Sequence, residues 1–395
     1  MPDINRRSAI AGLAATTAAA AFAIAAPAGA QQKPPIKIGH IAIMTGPAGA
    51  YGQLQKIIVD IAVEDINAAG GINGSKVEVQ TEDSQLDPAQ AVLLFRKLHG
   101  AGAVAVVGPM SGTQWETVSP LANQMKFPAI TANASKPGIT VKPWTIRLGP
   151  ADDTAVPQGI AAFLKKYPNV KNIVITADVR EASGKAAAEL YQQAAKAHNL
   201  KVLDTVEFST RTTDVSPIAL KIKSLNPDAV FAVALIPQGL LLAKEFAIQG
   251  FTKPVLANSI IWPGNFVSAA GEAGKNWHTI GYSTNSKVPG DNERYKSVAT
   301  RFIERARKTP ALGTNISNNT VAYDIMMLYA DILKRRGVDG STDVAKARDI
   351  IREEFEKLKE FRGLNVYKMR DTGDGDMPHE LLVPDVAKKE WKFAD

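Results

Sequence analysis

Ser111 and Thr113 stand two residues apart where an apolar run ends, in the segment AVAVVGPMSGTQWETVSP from Ala103 to Pro120. Hydroxyls on a turn between a strand and a helix suit three chemistries: a hydrolase nucleophile, a phosphate cradle, or donors for another molecule's carboxylate. Nucleophilic attack is poorly specified, because G-P-M-S-G departs from the G-x-S-x-G elbow that strains and exposes its serine. Nor do His40, His99, His198, His278 and His379 offer a recognisable base. His40 falls inside a strand pattern, while His99 and His198 fall at helix ends, where a favourable dipole contact explains them. The phosphate reading fails because neither TGPAGAYG nor GPMSGT carries a G-K-S/T ending. A metal fares no better. DTGDGD, Asp371 to Asp376, lacks the length and final glutamate of a calcium loop and reads as a surface turn. What remains is an anion received at a helix start, where free N–H groups and the helix dipole favour negative charge. TANASKP adds Ser135 and backbone amides after the following strand. Ser111 and Thr113 capping their own helix is the competing structural reading.

These loops need a scaffold that brings strand ends together. Short β-rich runs alternate with helical patterns: IKIGHIAIM before Tyr51 to Ala69, KVEVQTED before Pro88 to His99, AVAVVGP before Trp115 to Met125, then FPAIT. The order predicts a parallel sheet covered on both faces. A second series repeats the rhythm with VKNIVITAD, KVLDTVEF, DAVFAVAL and KPVLAN, each followed by a helical stretch. The fold class is therefore α/β, with two doubly wound, Rossmann-like lobes. Local signals set the helix ends: Gly70 and Gly71 stop the first helix, and Asp87 with Pro88 starts the next. Helical patterns over Glu293 to Lys308, Asn319 to Arg336 and Asp343 to Glu360 return the chain to an earlier lobe, and two strands are expected around RDTGDGDMP. Open parallel sheets bind ligands outside the carboxyl ends of their strands. In the second half those ends lead into TADVREASGK, LIPQG and NSIIWPG.

The amino terminus supplies an address. Arg6 and Arg7 precede an uncharged, alanine-rich stretch from Ala9 to Ala26, and APAGA places an A-x-A cleavage site after Ala30. This reads as a secretory leader, and the paired arginines admit the twin-arginine route. A transmembrane helix is the competing reading, disfavoured by the weak apolarity and by Pro27. The chain has no cysteine, which removes thiol catalysis, cysteine metal sites and a lipid-anchoring cysteine. Its 46 basic residues against 39 acidic ones give a net charge of +7. They are scattered and interleaved, as in IIREEFEKLKEFR, so the pattern describes a solvated helix face and excludes a nucleic-acid stripe.

In order and spacing, IKIGHIAIMTGPAGAYGQ, AVEDINAAGGINGSKVEV, EDSQLDPAQAV, AVAVVGPMSGT and NPDAVFAVALIPQGLLLAKEFAIQGF resemble the periplasmic substrate-binding proteins of ABC importers, of the leucine/isoleucine/valine-binding type. The resemblance covers the mature chain. It implies the type I fold, two lobes joined by a three-crossover hinge, closing on a small molecule and presenting the closed form to a membrane permease. It also implies a monomer without enzymatic activity or cofactor. Residues 33–151 with about 285–362 would form lobe 1, and 152–284 with about 363–395 lobe 2. The family's carboxylate clamp falls on Ser111, Thr113, the backbone of Ala134, and Ser135; its ligand-lining tyrosine falls on Tyr51. In the second lobe this chain departs. The acid that receives an amino group falls near Ser259, and flanking tyrosines fall near Ser183 and Ile236.

An α-ammonium closed into a cleft without a partner costs several kcal/mol or more. Tyr51, Ile236 and Trp262 instead offer flat or apolar walls, as does Trp115 if it is not plain core. The expected ligand is accordingly an aromatic or apolar carboxylate. Arg180 would meet a second acidic or phenolic group, unless it is a solvated surface arginine. The alternatives are an amino-acid receptor of the same family, with Asp178 or Glu181 rescuing the ammonium, and a serine hydrolase using Ser111.

Overall fold

The computed structural model describes residues 33–394 apart from 47, 150, 179–181, 210, 263, 283–292, 310–311, 315 and 317–318. The expected leader, Arg180, Glu181 and the expected crossover near residue 285 lie outside the described residues, as does the side chain of Ser183. Among the described residues no helix is long and apolar enough to cross a membrane.

The first sheet is wholly parallel. β1 (Ile36–Ala42) lies between β2 (Val77–Asp83) and β3 (Ala105–Val107), and β4 (Ala129–Thr131) and β5 (Thr145–Arg147) follow on the far side of β3. The crossovers are α1 (Gly49–Ala68), α2 (Pro88–Gly100) and α3 (Gly112–Met125). α1 turns Ile58, Ile61 and Ala62 inward and stops at Gly70 and Gly71, both at positive φ. Asp87 caps α2 by accepting from the Gln90 amide at 2.9 Å, with Pro88 at the first helical position.

The second sheet runs β7-β6-β8-β9-β10 in parallel, formed by β6 (Asn172–Asp178), β7 (Lys201–Phe208), β8 (Ala229–Val233), β9 (Val255–Ala257) and β10 (Trp277–Tyr282). Around it lie α4 (Asp152–Lys166), α5 (Ala182–Ala197), α6 (Ser216–Ser224), α7 (Ile236–Ile248) and the short α8 (Phe266–Ala270). The chain then supplies α9 (Glu293–Ala306), α10 (Thr320–Arg335) and α11 (Val344–Lys357). α9 and α10 pack on α1. The remaining segments are β11 (Glu360–Arg362), β12 (Val366–Met369), β13 (Gly375–Asp376), β14 (His379–Asp385) and β15 (Glu390–Phe393). The first three make a small antiparallel sheet, and the last two extend the second sheet antiparallel beside β10.

The turn expected over DTGDGD needs one correction. Asp371 is exposed, but Asp374 is buried and faces Arg147, the fully buried last residue of β5. Nη2 of Arg147 lies 2.9 Å from Asp374 Oδ1, an ion pair without hydrogen-bond alignment, while Nη1 donates to the carbonyls of Ala134 and Lys136 at 2.8 and 2.7 Å. A surface reading missed this because aspartates in a glycine-rich turn are ordinarily solvated.

Burial also sets a pH dependence. Desolvation lowers His40, His278 and His379 to about 4, while Asp152 and Asp324 are raised by desolvation to about 6. Between pH 6.5 and 4 the unfolded chain gains protons on three imidazoles that the native state keeps neutral. The two aspartates act oppositely, because the native state protonates first there. Three against two, the thermal midpoint should fall as pH is lowered through this window. His278→Gln should flatten that slope in differential scanning calorimetry; a wild-type midpoint that rises on acidification would contradict the balance.

Candidate functional site

The chemistry-bearing loops gather at the carboxyl ends of the parallel strands. β3 runs into Gly108 at φ +95, where a Cβ would come 2.4 Å from the Ile41 carbonyl oxygen. Only glycine turns the chain so close to β1. The turn places Ser111 at the N-cap of α3, where its Oγ accepts from the Gln114 amide at 3.2 Å. That contact uses a lone pair and keeps the O–H available to donate, so capping and ligand binding are compatible. Thr113 is half-buried in the first turn, beside the amides that a helix leaves without intrahelical partners.

Neighbouring β4 delivers the second loop. Thr131 Oγ1 donates to the Pro109 carbonyl at 2.7 Å and receives the Ala134 amide at 3.4 Å, so the two loops are tied together. Ser135 is buried, and its hydroxyl donates to Asp152 Oδ2 at 2.7 Å. In this arrangement the hydroxyl hydrogen serves the first carboxylate of α4, although the sequence placed it in the clamp. Beneath the loops, Gln55 Nε2 donates to Asn133 Oδ1 at 2.6 Å, and Gln55 Oε1 lies 2.9 Å from His40 Nε2. Asn133 was absent from the sequence-based set; its only signal was the amide within TANASKP.

The opposite wall comes from the second lobe. A Cβ on Gly52 would stand 2.0 Å from the Ile43 carbonyl oxygen, so glycine lets α1 begin against the end of β1 and fixes Tyr51 there. The Tyr51 hydroxyl donates to the Ile260 carbonyl and accepts from the Ile236 amide, both at 3.1 Å. Burial raises its pKa, with the Ile236 amide opposing, so the phenol stays neutral and keeps its proton to donate. Leu235 packs with Tyr51 beside Ala42, Ile43, Ala48 and Met110, which brings the two lobes into direct contact. Ile236 is buried at the start of α7, and Ser259 is half-buried at the head of a single 3-10 turn, Ser259–Ile261.

Two aromatic residues sit differently. Trp115 is fully buried in the first lobe, its Nε1 3.4 Å from Thr140 Oγ1, which resolves its alternative readings in favour of core. Trp262 is buried edge-to-face on Tyr282, ring centroids 4.8 Å apart. Asp178, the last residue of β6, is buried at the strand end where open sheets take ligands.

The profile of the periplasmic binding protein family matches residues 35–389. Relatives include the Leu/Ile/Val-binding protein BraC3 of Rhizobium johnstonii, 28% identical over 67% of this chain and 73% of that one. A Leu/Ile/Val-binding protein homolog of Brucella melitensis is 26% identical over 79% and 82%. Among solved structures, a branched-chain amino acid transporter substrate binding protein from Streptococcus pneumoniae, in complex with isoleucine, superposes with a TM-score of 0.77 at 21% identity, covering 91% of this chain and 99% of that one. A solute binding protein of an ABC transporter from R. palustris, in complex with 4-hydroxybenzoate, gives 0.75 at 20%, covering 91% and 96%.

Tyr51→Phe keeps the ring and deletes both interlobe hydrogen bonds. Small-angle scattering of the unliganded variant should show a larger radius of gyration than wild type. An unchanged profile would mean that packing around Leu235 suffices to hold the lobes together.

Proposed function

Since the chain belongs to the periplasmic binding protein family and is the extracytoplasmic solute receptor of an ABC importer, we propose that its ligand is a small aromatic or apolar carboxylate held between the lobes. The observation that carries this reading is the α3 start. There a capping serine with an O–H left to give, Thr113 and the first-turn amides converge where an anion is favoured. The neutral Tyr51 ring and buried Ile236 supply an apolar wall opposite. Ser259 stands where the resemblance would put an acid. Arg180 is proposed as a partner for a second acidic or phenolic group on the ligand. The receptor works in the periplasm and hands its ligand to a membrane permease. It acts as a monomer, without catalysis, after a leader ending at Ala30 is removed.

Asp178 favours a second reading. A buried carboxylate at the end of β6 is the kind of group that receives an ammonium, which supports a branched-chain amino acid as ligand. The relatives named for Leu/Ile/Val binding and the solved neighbour carrying isoleucine lean the same way, while the neighbour carrying 4-hydroxybenzoate leans towards the first reading.

Two measurements test these readings. Ser111→Ala combined with Thr113→Val should weaken carboxylate binding by about 1.5–3 kcal/mol, the usual loss for a hydrogen bond to a charged group. Thr113→Val alone leaves the cap intact and must show part of that loss by calorimetry. A full-affinity, folded double variant would reduce both hydroxyls to structural caps. Side-by-side titration then decides the class: benzoate and phenylpropenoate should bind more tightly than leucine, isoleucine or valine. Micromolar leucine binding that Asp178→Asn abolishes, with benzoate inert, would establish the amino-acid receptor instead.

A further inference from the structure

Beside the NSIIWPG loop, whose Trp262 and Gly264 form part of the lining, the end of the β14–β15 hairpin meets α8, α9 and Gly313, Thr314 and Ile316 to enclose a recess of about 420 Å³. A volume of this order accommodates a small organic molecule. Its walls come from both lobes. Ile303 lies on α9, which packs on the first-lobe core, whereas Trp391 and Phe393 belong to the outermost strand of the second sheet. Gly264 and Gly313 approach so closely that a Cβ on Gly313 would sit 2.7 Å from the Gly264 carbonyl carbon, and this contact closes one side.

The chemistry of the lining is uneven. Trp391 is stacked on Phe266, ring centroids 5.6 Å apart, and its indole Nε1–H is buried without an acceptor. An indole donor in that state costs free energy until something accepts from it. Lys388 and Lys389 line the same recess at the hairpin turn, and neither ammonium forms an ion pair among the described residues; Glu390, beside them, is the one acid among the described lining residues. The local balance is one net positive charge over an aromatic and aliphatic floor.

We infer that this recess is a second small-molecule site, distinct from the hydroxyls of the α3 start and adjoining the candidate cleft at Trp262, for an apolar monoanion such as an aromatic carboxylate or sulfonate. The hydrocarbon body covers Ile303 and the aromatic side chains of β15, and the acidic head meets Lys388, Lys389 and the waiting indole N–H. Because its walls span both lobes, an occupant touches each of them.

The probe is 8-anilinonaphthalene-1-sulfonate, titrated by fluorescence into the full-length mature protein. N-phenyl-1-naphthylamine, which lacks the sulfonate, is its neutral comparison. Lys388→Gln with Lys389→Asn removes both charges, and asparagine tolerates the left-handed backbone at position 389. This variant should bind the sulfonate about tenfold more weakly, the scale of one hydrogen bond to a charged group. Trp391→Phe, which preserves the stack on Phe266, should weaken it as well. Ser111→Ala with Thr113→Val should leave it unchanged. Wild-type affinity in the lysine variant would overturn the site, as would a sulfonate displaced by loss of the two hydroxyls, since the probe would then occupy the cleft. Equal affinity for the neutral naphthylamine would overturn the assignment of a monoanion.

Discussion

A fully buried guanidinium is the constraint on which the geometry of the cleft depends. Taking Arg147 out of water costs several kcal/mol unless every nearby group answers it. Asp374 answers with charge, and the carbonyls of Ala134 and Lys136 answer with lone pairs. Desolvation pulls the arginine's pKa below its ordinary value, and Asp374 followed by Asp152 and Asp153 pushes it back up. The loop carrying Ala134 and Ser135 is thus fixed from behind by a charge, not merely by its own turn. The same network reaches across the hinge: Arg370 donates to both oxygens of Asp153, at 2.8 and 3.2 Å, at the start of α4. The end of β5, the start of α4 and the turn before β13 are held in one ionic unit, and Ser135 joins it through Asp152.

A second buried carboxylate places the chain before it re-enters the second sheet. Asp324 on α10 accepts from the amides of Leu364 and Asn365, from Asn365 Nδ2 and from the Tyr367 hydroxyl, at 2.6 to 2.9 Å. Any side chain at position 363 would collide with it, its Cβ 2.1 Å from Asp324 Oδ1. The chain leaving α11 is therefore seated on α10 before β14 pairs beside β10. Both devices are polar and buried, so each is strong only while complete.

Local chemistry made much of the scaffold legible. Alternation of apolar runs, the Asp87–Pro88 start and the Gly70–Gly71 stop located β1 to α3 with little ambiguity, and the three late helical patterns begin within a residue of α9, α10 and α11. Six elements went unread: α4, β5, β10 and three of the five short strands from β11 to β15, where only two were expected. β5 has three residues, and α4 contains Pro157 and Gly159, which mask its periodicity. β10, WHTIGY, carries a histidine and a glycine within a run that is buried on every residue. For the site, Ser111 was visible because it sits on a strand-to-helix turn. Asn133, Asp152 and the burial of Asp374 were not, because each takes its role from partners far along the chain.

The division of labour between lobes follows from where the polar groups lie. A helix start with hydroxyls recognises any carboxylate, because its free amides and hydroxyl hydrogens donate to the acid head and read nothing beyond it. On the proposed reading, discrimination therefore falls to the second lobe, to the Ile236 start, the Ser259 turn and Asp178. Tyr51 connects the two functions. Its single hydroxyl satisfies an amide and a carbonyl of those second-lobe loops, so the apolar wall cannot shift without breaking bonds that begin in the first lobe. On that same reading a ligand whose body is too large for the wall has to separate them, so the phenol would gauge size where the α3 start would gauge only charge.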